Sequence, residues 1–90
     1  MTYRFVRTSQ FERALKSFLK KHPDLRDLVL AKLTLLQKNP KDPGLKAHEL
    51  KGRLKGILAA SLTFDYRVVF YIEGDLICLL NIASHDEVYY

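Results

Sequence analysis

The chain has 90 residues, of which 48% are hydrophobic and 28% are charged. This size and balance are typical of a globular chain, and we expect a single domain over residues 1–90. No stretch approaches the ~20 apolar residues of a membrane span, and the N-terminal segment lacks the apolar core of a secretion signal. The single cysteine cannot form an internal disulfide. We therefore expect a cytoplasmic protein that does not enter a membrane.

Positive charge is concentrated in the first two thirds of the chain. The net charge is +5, but residues 1–60 hold 14 lysines and arginines against five acids, a balance of +9. Residues 61–90 hold one arginine against five acids, a balance of −4. This asymmetry indicates a basic surface that meets a polyanion, either nucleic acid or an acidic protein. The alternative is a solvated face on two helices.

The chain begins with a predicted strand and a predicted helix. Apolar and polar residues alternate over residues 3–8, which predicts the strand. Ser9 stands three residues before Glu12, the capping-box pattern of a helix start. The helix should end at His22, because a residue before proline disfavours the helical region. Its apolar stripe consists of Phe11, Leu15, Phe18 and Leu19.

A second helix is predicted between Asp24, which is placed to cap it, and Asn39-Pro40, which closes it. Only a short turn separates it from the first helix, so we expect the two to pack as an antiparallel hairpin. Its expected buried face consists of Leu25, Leu28, Val29, Leu33 and Leu36.

From Gly52 onward the apolar pattern has the period of strands. We expect a strand over residues 53–62, a hairpin turn at Glu73-Gly74-Asp75, and a central strand over residues 76–83 that is buried on both faces. The strand before the turn should carry an apolar face of Phe64, Tyr66, Val68, Phe70 and Ile72. The resulting order is β-α-α-β-β-β, an α+β fold in which a helical hairpin packs on a small antiparallel sheet.

Few residues in the chain are suited to chemistry. Cys78 lies among aliphatic residues, so we expect a buried hydrophobic side chain and not a nucleophile. His22 stands at a helix end, where a surface capping role is expected. His48, His85 and Asp86 do not have the spacing of metal ligands. We expect no metal and no cofactor.

Five polar and aromatic residues are candidates for one site. Asp65 and Arg67 are two apart on a predicted strand and should extend from the same face. His85 and Tyr89 follow the last strand at the spacing of one helical turn. If the strands are adjacent, these four converge at one edge of the sheet, and His48 reaches in from the preceding loop.

This set suits metal-free cleavage of RNA. The attacking 2′-hydroxyl must lose a proton and the leaving 5′-oxygen must gain one, and histidine can do either near neutral pH. Arginine offers a fixed fork for phosphate oxygens, and tyrosine can stack on an unpaired base.

Each candidate also has a structural interpretation. Asp65 and Arg67 can form a plain surface ion pair, and His48 can be a loop residue bonded to backbone. Residues 85–87 can be a polar tail, and Tyr89-Tyr90 can pack on the core. The residues alone leave these alternatives open.

Three motifs lie in the chain's second half: His48-x-Leu50-x-Gly52, Phe64-Asp-Tyr-Arg-Val-Val-Phe-Tyr71 and Ala83-Ser-His-Asp-Glu-Val-Tyr89. With the basic helical hairpin before them, they resemble the RelE/ParE superfamily of bacterial toxins, and within it the YafQ-like mRNA interferases. The resemblance implies the RelE-like fold over nearly the whole chain.

The resemblance also implies residue roles. His48 and His85 would transfer protons, with His85 as the main acid or base. Asp65 would tune a histidine or orient RNA, and Tyr89 would stack on a base. Arg67 would stabilise the scissile phosphate, as in RelE-like members. One departure is Ser61, which stands where the YafQ-like pattern has a further histidine.

The function implied by the resemblance is that of a type II toxin, a ribosome-dependent endoribonuclease. The implied partners are the 70S ribosome, mRNA and a cognate antitoxin. The basic residues expected to bind ribosomal RNA are Lys16, Lys20, Lys21, Lys51, Arg53 and Lys55.

Two alternatives share the fold. One is a ParE-like gyrase inhibitor without enzymatic activity, against which the pair His48 and His85 argues. The other is a decayed toxin that only binds its antitoxin. The serine at position 61, where a histidine is expected, is the reason to consider it.

Overall fold

The computed structural model describes residues 2–50 and 56–89, the last of them by its backbone alone. The predicted order of elements is confirmed, with a short additional strand and a C-terminal helix. The strands are β1 (Arg4–Arg7), β2 (His48–Glu49), β3 (Leu58–Ser61), β4 (Tyr66–Glu73) and β5 (Leu76–Ser84). The helices are α1 (Ser9–Lys21), α2 (Arg26–Lys38) and α3 (His85–Tyr89), with 3₁₀ turns at Pro23–Leu25 and Pro43–Leu45.

The five strands form one sheet in the order β1-β5-β4-β3-β2. The pairs from β5 to β2 are antiparallel, but β1 runs parallel to β5. The sheet is therefore mixed, and the prediction of an antiparallel sheet is wrong for this one pairing. The reason is the long helical connection after β1, because only such a crossover allows two strands to pair in parallel.

Both long helices pack on one face of the sheet, which confirms the predicted α+β layers. The buried cluster contains α1 and α2 residues together with Ala60 of β3, alternate residues of β4, and three residues of β5 whose alternation is broken by the register shift between the two strands. Residues between these alternate positions, such as Ala59, Ser61 and Arg67, therefore lie on the opposite face. The buried helix residues are Phe11, Leu15, Phe18, Val29, Leu33 and Leu36.

The helix starts differ from the prediction. The hydroxyl of Thr8, not Ser9, caps α1 by accepting a hydrogen bond from the amide of Phe11. Asp24 lies inside a 3₁₀ turn and does not cap α2. Leu28 is exposed rather than buried, because a helix turns about 100° per residue and the buried face of α2 is centred on Val29, Leu33 and Leu36.

The start of β4 is also displaced. Phe64 and Asp65 lie in the turn before the strand, so Phe64 does not belong to its apolar face. The register explains the shift, because Ser61 pairs with Arg67 and the residues between them must form the connection. Gly74 adopts a positive φ of 60° in the predicted hairpin turn. Strand β5 is buried on both faces, as predicted, and Cys78 is buried within it.

The predicted strand over residues 53–62 is observed as β3, and residues 53–55 lie outside the described residues. Within the described ranges, no helix is long and apolar enough to cross a membrane.

Candidate functional site

The antiparallel register brings the predicted site residues to one end of the sheet. Strand β5 ends where β4 begins, and β3 ends at the same level, since Arg67 pairs with both Ala83 and Ser61. His85 directly follows β5. On the outer strand, His48 pairs with Ala59, and paired residues share a face. His48, Ser61 and Arg67 therefore lie on the face opposite the two long helices.

Arg67 anchors the turn over residues 62–65. Its Nη1 donates hydrogen bonds to the carbonyl oxygens of Thr63 (3.1 Å), Phe64 (3.2 Å) and Tyr66 (3.1 Å). No ion pair joins Arg67 to Asp65, although the structure describes both residues. The surface ion pair considered from the sequence is thus absent, and backbone carbonyls take its place.

Helix α3 begins with a capping box, which explains the Ser-His-Asp-Glu sequence. The Ser84 amide donates to Oε1 of Glu87 at 2.9 Å, and the Glu87 amide donates to the Ser84 hydroxyl at 3.2 Å. The hydrogen bonds from the Ser84 backbone and side chain lower the pKa of Glu87. This cap fixes His85 in the first turn of the helix.

These elements enclose an open cleft of about 680 Å³. It contains three of the predicted site residues, His85, Asp65 and Arg67. The amide of His85 donates to the Asp65 carbonyl at 2.7 Å, and Nδ1 of His85 lies 3.6 Å from Oδ1 of Asp86. The other lining residues are His22, Lys46, Ser61, Phe64, Tyr66, Ser84 and Asp86.

Comparison with known proteins identifies the family. The family model described as the bacterial toxin YafQ of type II toxin-antitoxin systems matches residues 3–90. The chain belongs to this YafQ toxin family. The resemblance stated from the sequence motifs is thereby confirmed.

Solved structures agree on the fold. YafQ from Escherichia coli is 21% identical with a TM-score of 0.81, covering 98% of this chain and 99% of that one. The E. coli DinJ–YafQ toxin-antitoxin complex gives 21% identity and a TM-score of 0.80, covering 100% of both chains. A metal-bound toxin from Helicobacter pylori gives 28% identity and a TM-score of 0.73, covering 96% and 98%. No curated protein sequence matches significantly.

In this YafQ-family chain, His48 lies beside the cleft and is not one of its lining residues. His48 lies in β2, not in a loop, two residues beyond the cleft residue Lys46. Its Nδ1 is 3.0 Å from the Lys46 carbonyl oxygen. This contact joins the imidazole to the backbone two residues before it.

His22 is a cleft residue that the sequence analysis did not select. Its backbone caps the end of α1, and its half-buried ring lies 4.8 Å from the Phe18 ring and 5.7 Å from the Tyr66 ring. The spacing of four from Phe18 was the available signal, because it continues the apolar stripe of α1.

Lys46 and Phe64 are also cleft residues that were not selected. Lys46 adopts a left-handed φ of 50°, which is uncommon for a residue with a side chain. Phe64 is exposed at the turn, whereas strand alternation placed it in the core. No local sequence signal identified either position.

Only three of the six predicted RNA-binding residues lie within the described ranges. Lys16, Lys20 and Lys21 are exposed on α1, the last two in its final turn. Lys51, Arg53 and Lys55 lie outside the described residues, as does the side chain of Tyr89. Among the residues with described positions, no group of three or more His, Cys, Asp and Glu could hold a metal ion.

Proposed function

We propose that this YafQ-family chain is a ribosome-dependent endoribonuclease that cleaves mRNA by acid/base catalysis without a metal. The observation that carries the proposal is the cleft in which His85, Asp65 and Arg67 meet at the end of the sheet. It combines a titratable imidazole with a carboxylate and a guanidinium, and proton transfer and charge stabilisation are what transesterification of RNA needs.

In the proposed reaction the 2′-oxygen attacks the adjacent phosphorus as its proton passes to a general base. The bond between phosphorus and the 5′-oxygen then breaks, and a general acid protonates the leaving oxygen. The products are a 2′,3′-cyclic phosphate and a 5′-hydroxyl. His85 is the principal acid or base, and His48 is its partner.

Arg67 is proposed to stabilise the charge that develops on the phosphate. Nη1 is engaged by the turn, but none of the hydrogen bonds of the described residues uses Nε or Nη2. Those two nitrogens can offer N–H donors to phosphate oxygens while Nη1 holds the guanidinium in place. Asp65 orients RNA or a histidine, and Tyr89 stacks on a base.

The proposed partners are the 70S ribosome with its mRNA and a cognate antitoxin. The exposed α1 lysines 16, 20 and 21, with Lys51, Arg53 and Lys55, would contact ribosomal RNA, a polyanion. The E. coli relative has been solved in complex with DinJ, which supports an antitoxin for this chain too.

The decisive experiment is primer extension on a defined mRNA in a translating extract, with wild type and His85→Ala in parallel. The His85 side chain is 49% exposed, so the variant should fold and lose cleavage. Cleavage at in-frame positions by wild type alone supports the proposal, whereas cleavage by His85→Ala overturns the assignment.

A gyrase supercoiling assay on the same proteins tests the ParE-like alternative. Supercoiling inhibition without mRNA cleavage would replace the proposed function by gyrase inhibition. If cleavage, gyrase inhibition and growth arrest are all absent, the chain is a decayed toxin that binds only its antitoxin.

A further inference from the structure

Phe64 is the most exposed of the large hydrophobic side chains in the described ranges. It is 92% exposed, whereas the next, Val6 and Leu28, are each 42% exposed. An aromatic ring that stays in water gains none of the free energy that burial of its apolar surface would provide. Aromatic side chains contribute strongly to binding when a ligand covers them. The fold itself gains nothing from this ring.

The turn that carries Phe64 is held from several sides. Arg67 donates to the Phe64 carbonyl, and the amides of Leu62 and Thr63 both donate to the Tyr66 carbonyl at 3.1 and 3.3 Å. The next residue, Asp65, is tied to α3 through its carbonyl. The ring is therefore presented on a fixed backbone, which lowers the entropy lost when a ligand binds.

The surroundings of Phe64 include charged side chains. The cleft beside it is lined by the cations Lys46 and Arg67 and by two imidazoles, and also by the carboxylates of Asp65 and Asp86. An apolar protein segment would need a continuous apolar groove, whereas these charged and polar groups interrupt the apolar lining of the cleft. A flat ring beside cations instead matches single-stranded nucleic acid, whose bases stack and whose phosphates are anionic.

We propose that Phe64 is a stacking platform for an unpaired nucleobase of the RNA whose phosphates occupy the cleft. The proposal rests on the proposed function only in taking RNA as the occupant. It adds a base-binding subsite to the cleft, in addition to the stacking role proposed for Tyr89. Stacking is tolerant of sequence, so this subsite positions the strand and does not read its bases.

The chain has no tryptophan, so Phe64→Trp provides a single fluorescent reporter at the subsite. The probe is a short 2′-O-methyl oligoadenylate, which cannot be cleaved because it lacks a free 2′-hydroxyl. We expect stacking to quench the fluorescence of the introduced indole, and inorganic polyphosphate, an anion without bases, to leave it unchanged. Ile72→Trp is the control, since Ile72 lies near the other end of β4 and is also exposed.

Anisotropy of the labelled oligoadenylate gives its affinity for Phe64→Ala, Phe64→Leu and Phe64→Tyr. Alanine and leucine should weaken binding roughly 5- to 150-fold, while tyrosine should retain it. The proposal is overturned by an oligoadenylate that does not bind at low salt, or that binds without quenching. It is also overturned if leucine substitutes fully for phenylalanine, the result expected of an apolar contact with the antitoxin.

The same measurement in the His85→Ala background separates this proposal from the proposed function. Quenching that survives there supports the subsite even where cleavage is never detected. Quenching that is absent there at oligoadenylate concentrations that saturate binding, as anisotropy reports, contradicts stacking on residue 64.

Discussion

The backbone amide of His85 donates a 2.7 Å hydrogen bond to the carbonyl oxygen of Asp65. This bond joins the two motifs that carry the candidate chemistry, because Asp65 lies in the turn before β4 and His85 begins α3. The relative position of carboxylate and imidazole is thus set through the backbone, while both side chains stay exposed to the cleft.

Arg67→Lys should destabilise the protein, because lysine cannot present the planar guanidinium that Nη1 uses against carbonyls of the turn. A hydrogen bond to a charged group contributes about 1.5–3 kcal/mol, and the lysine ammonium keeps part of the contact, so at this half-buried position we expect a loss of about 1–2 kcal/mol. Urea unfolding measures this loss in the free energy of unfolding. Arg4→Lys is the matched control, since Arg4 forms only an exposed ion pair with Asp75. Equal losses for both variants would contradict the anchoring role.

Ser84→Ala should raise the pKa of Glu87 toward its ordinary value, because the Ser84 hydroxyl no longer takes part in the capping box. In wild type the pKa of Glu87 is lowered, so the cap stabilises α3 above the ordinary glutamate pKa. That stability is lost as the pH falls through the lowered pKa. NMR titration of the Glu87 side chain checks the shift, with Ser9→Ala as control. If the pKa of Glu87 is unchanged in Ser84→Ala, the Ser84 backbone amide alone lowers it.

Thr8→Ala should cost about 1–2 kcal/mol of stability, whereas Ser9→Ala should have little effect. The Thr8 hydroxyl accepts from the Phe11 amide and donates to the Leu79 carbonyl at 2.8 Å, so it also ties α1 to β5. Thermal or urea unfolding compares the two variants. A larger loss of stability for Ser9→Ala would show that Ser9, as the sequence pattern predicted, caps α1 instead of Thr8.

The elements were predictable because their apolar periods are unambiguous. The stripe from Phe11 to Phe18 can be buried only as a helix, and residues 76–83 are long, apolar and β-rich enough to be an internal strand. What the alternation could not locate was the turn before β4. Phe64 continues the pattern of Tyr66 and Val68, and only the pairing of Ser61 with Arg67 removes it from the strand.

The candidate site was predictable only in part, for a similar reason. Asp65, Arg67 and His85 follow from motif positions. His22 reaches the cleft because α1 docks its last turn on Tyr66, and Lys46 because the chain turns through a left-handed conformation. The first depends on a tertiary contact and the second on a backbone conformation that is uncommon for lysine, and the sequence pattern indicates neither.

Replacing Lys16, Lys20 and Lys21 by glutamine should weaken ribosome binding about tenfold and reduce its salt dependence by roughly one unit of slope per lost phosphate contact. All three side chains are exposed on α1. The measurement is cosedimentation with ribosomes over a salt series. The control replaces three exposed cations elsewhere, Arg26, Lys38 and Lys41. Equal losses would mean that net charge, and not the α1 surface, determines binding.

Ser61→His should increase cleavage. Ser61 lines the cleft and pairs with Arg67 across the strands, at the place where the YafQ-like pattern has a histidine. Serine cannot transfer protons near pH 7, whereas an imidazole there can. Positioned general acid–base catalysis contributes about 10²–10⁴-fold, and for an unoptimised position we expect a gain of about tenfold with a new ionisation near pH 6–7 in the rate profile.

Single-turnover cleavage on programmed ribosomes measures this gain, and Ser61→Asn is the control that adds a polar group without a titrating one. The half-buried position can accept either side chain at the end of β3, so circular dichroism should report the same fold for both. If the histidine and asparagine variants cleave at the same rate, the cleft already has its full set of proton-transfer groups. In that case Ser61 is not a lost catalytic position, and the remaining imidazole beside it, that of His22, becomes the residue to substitute next.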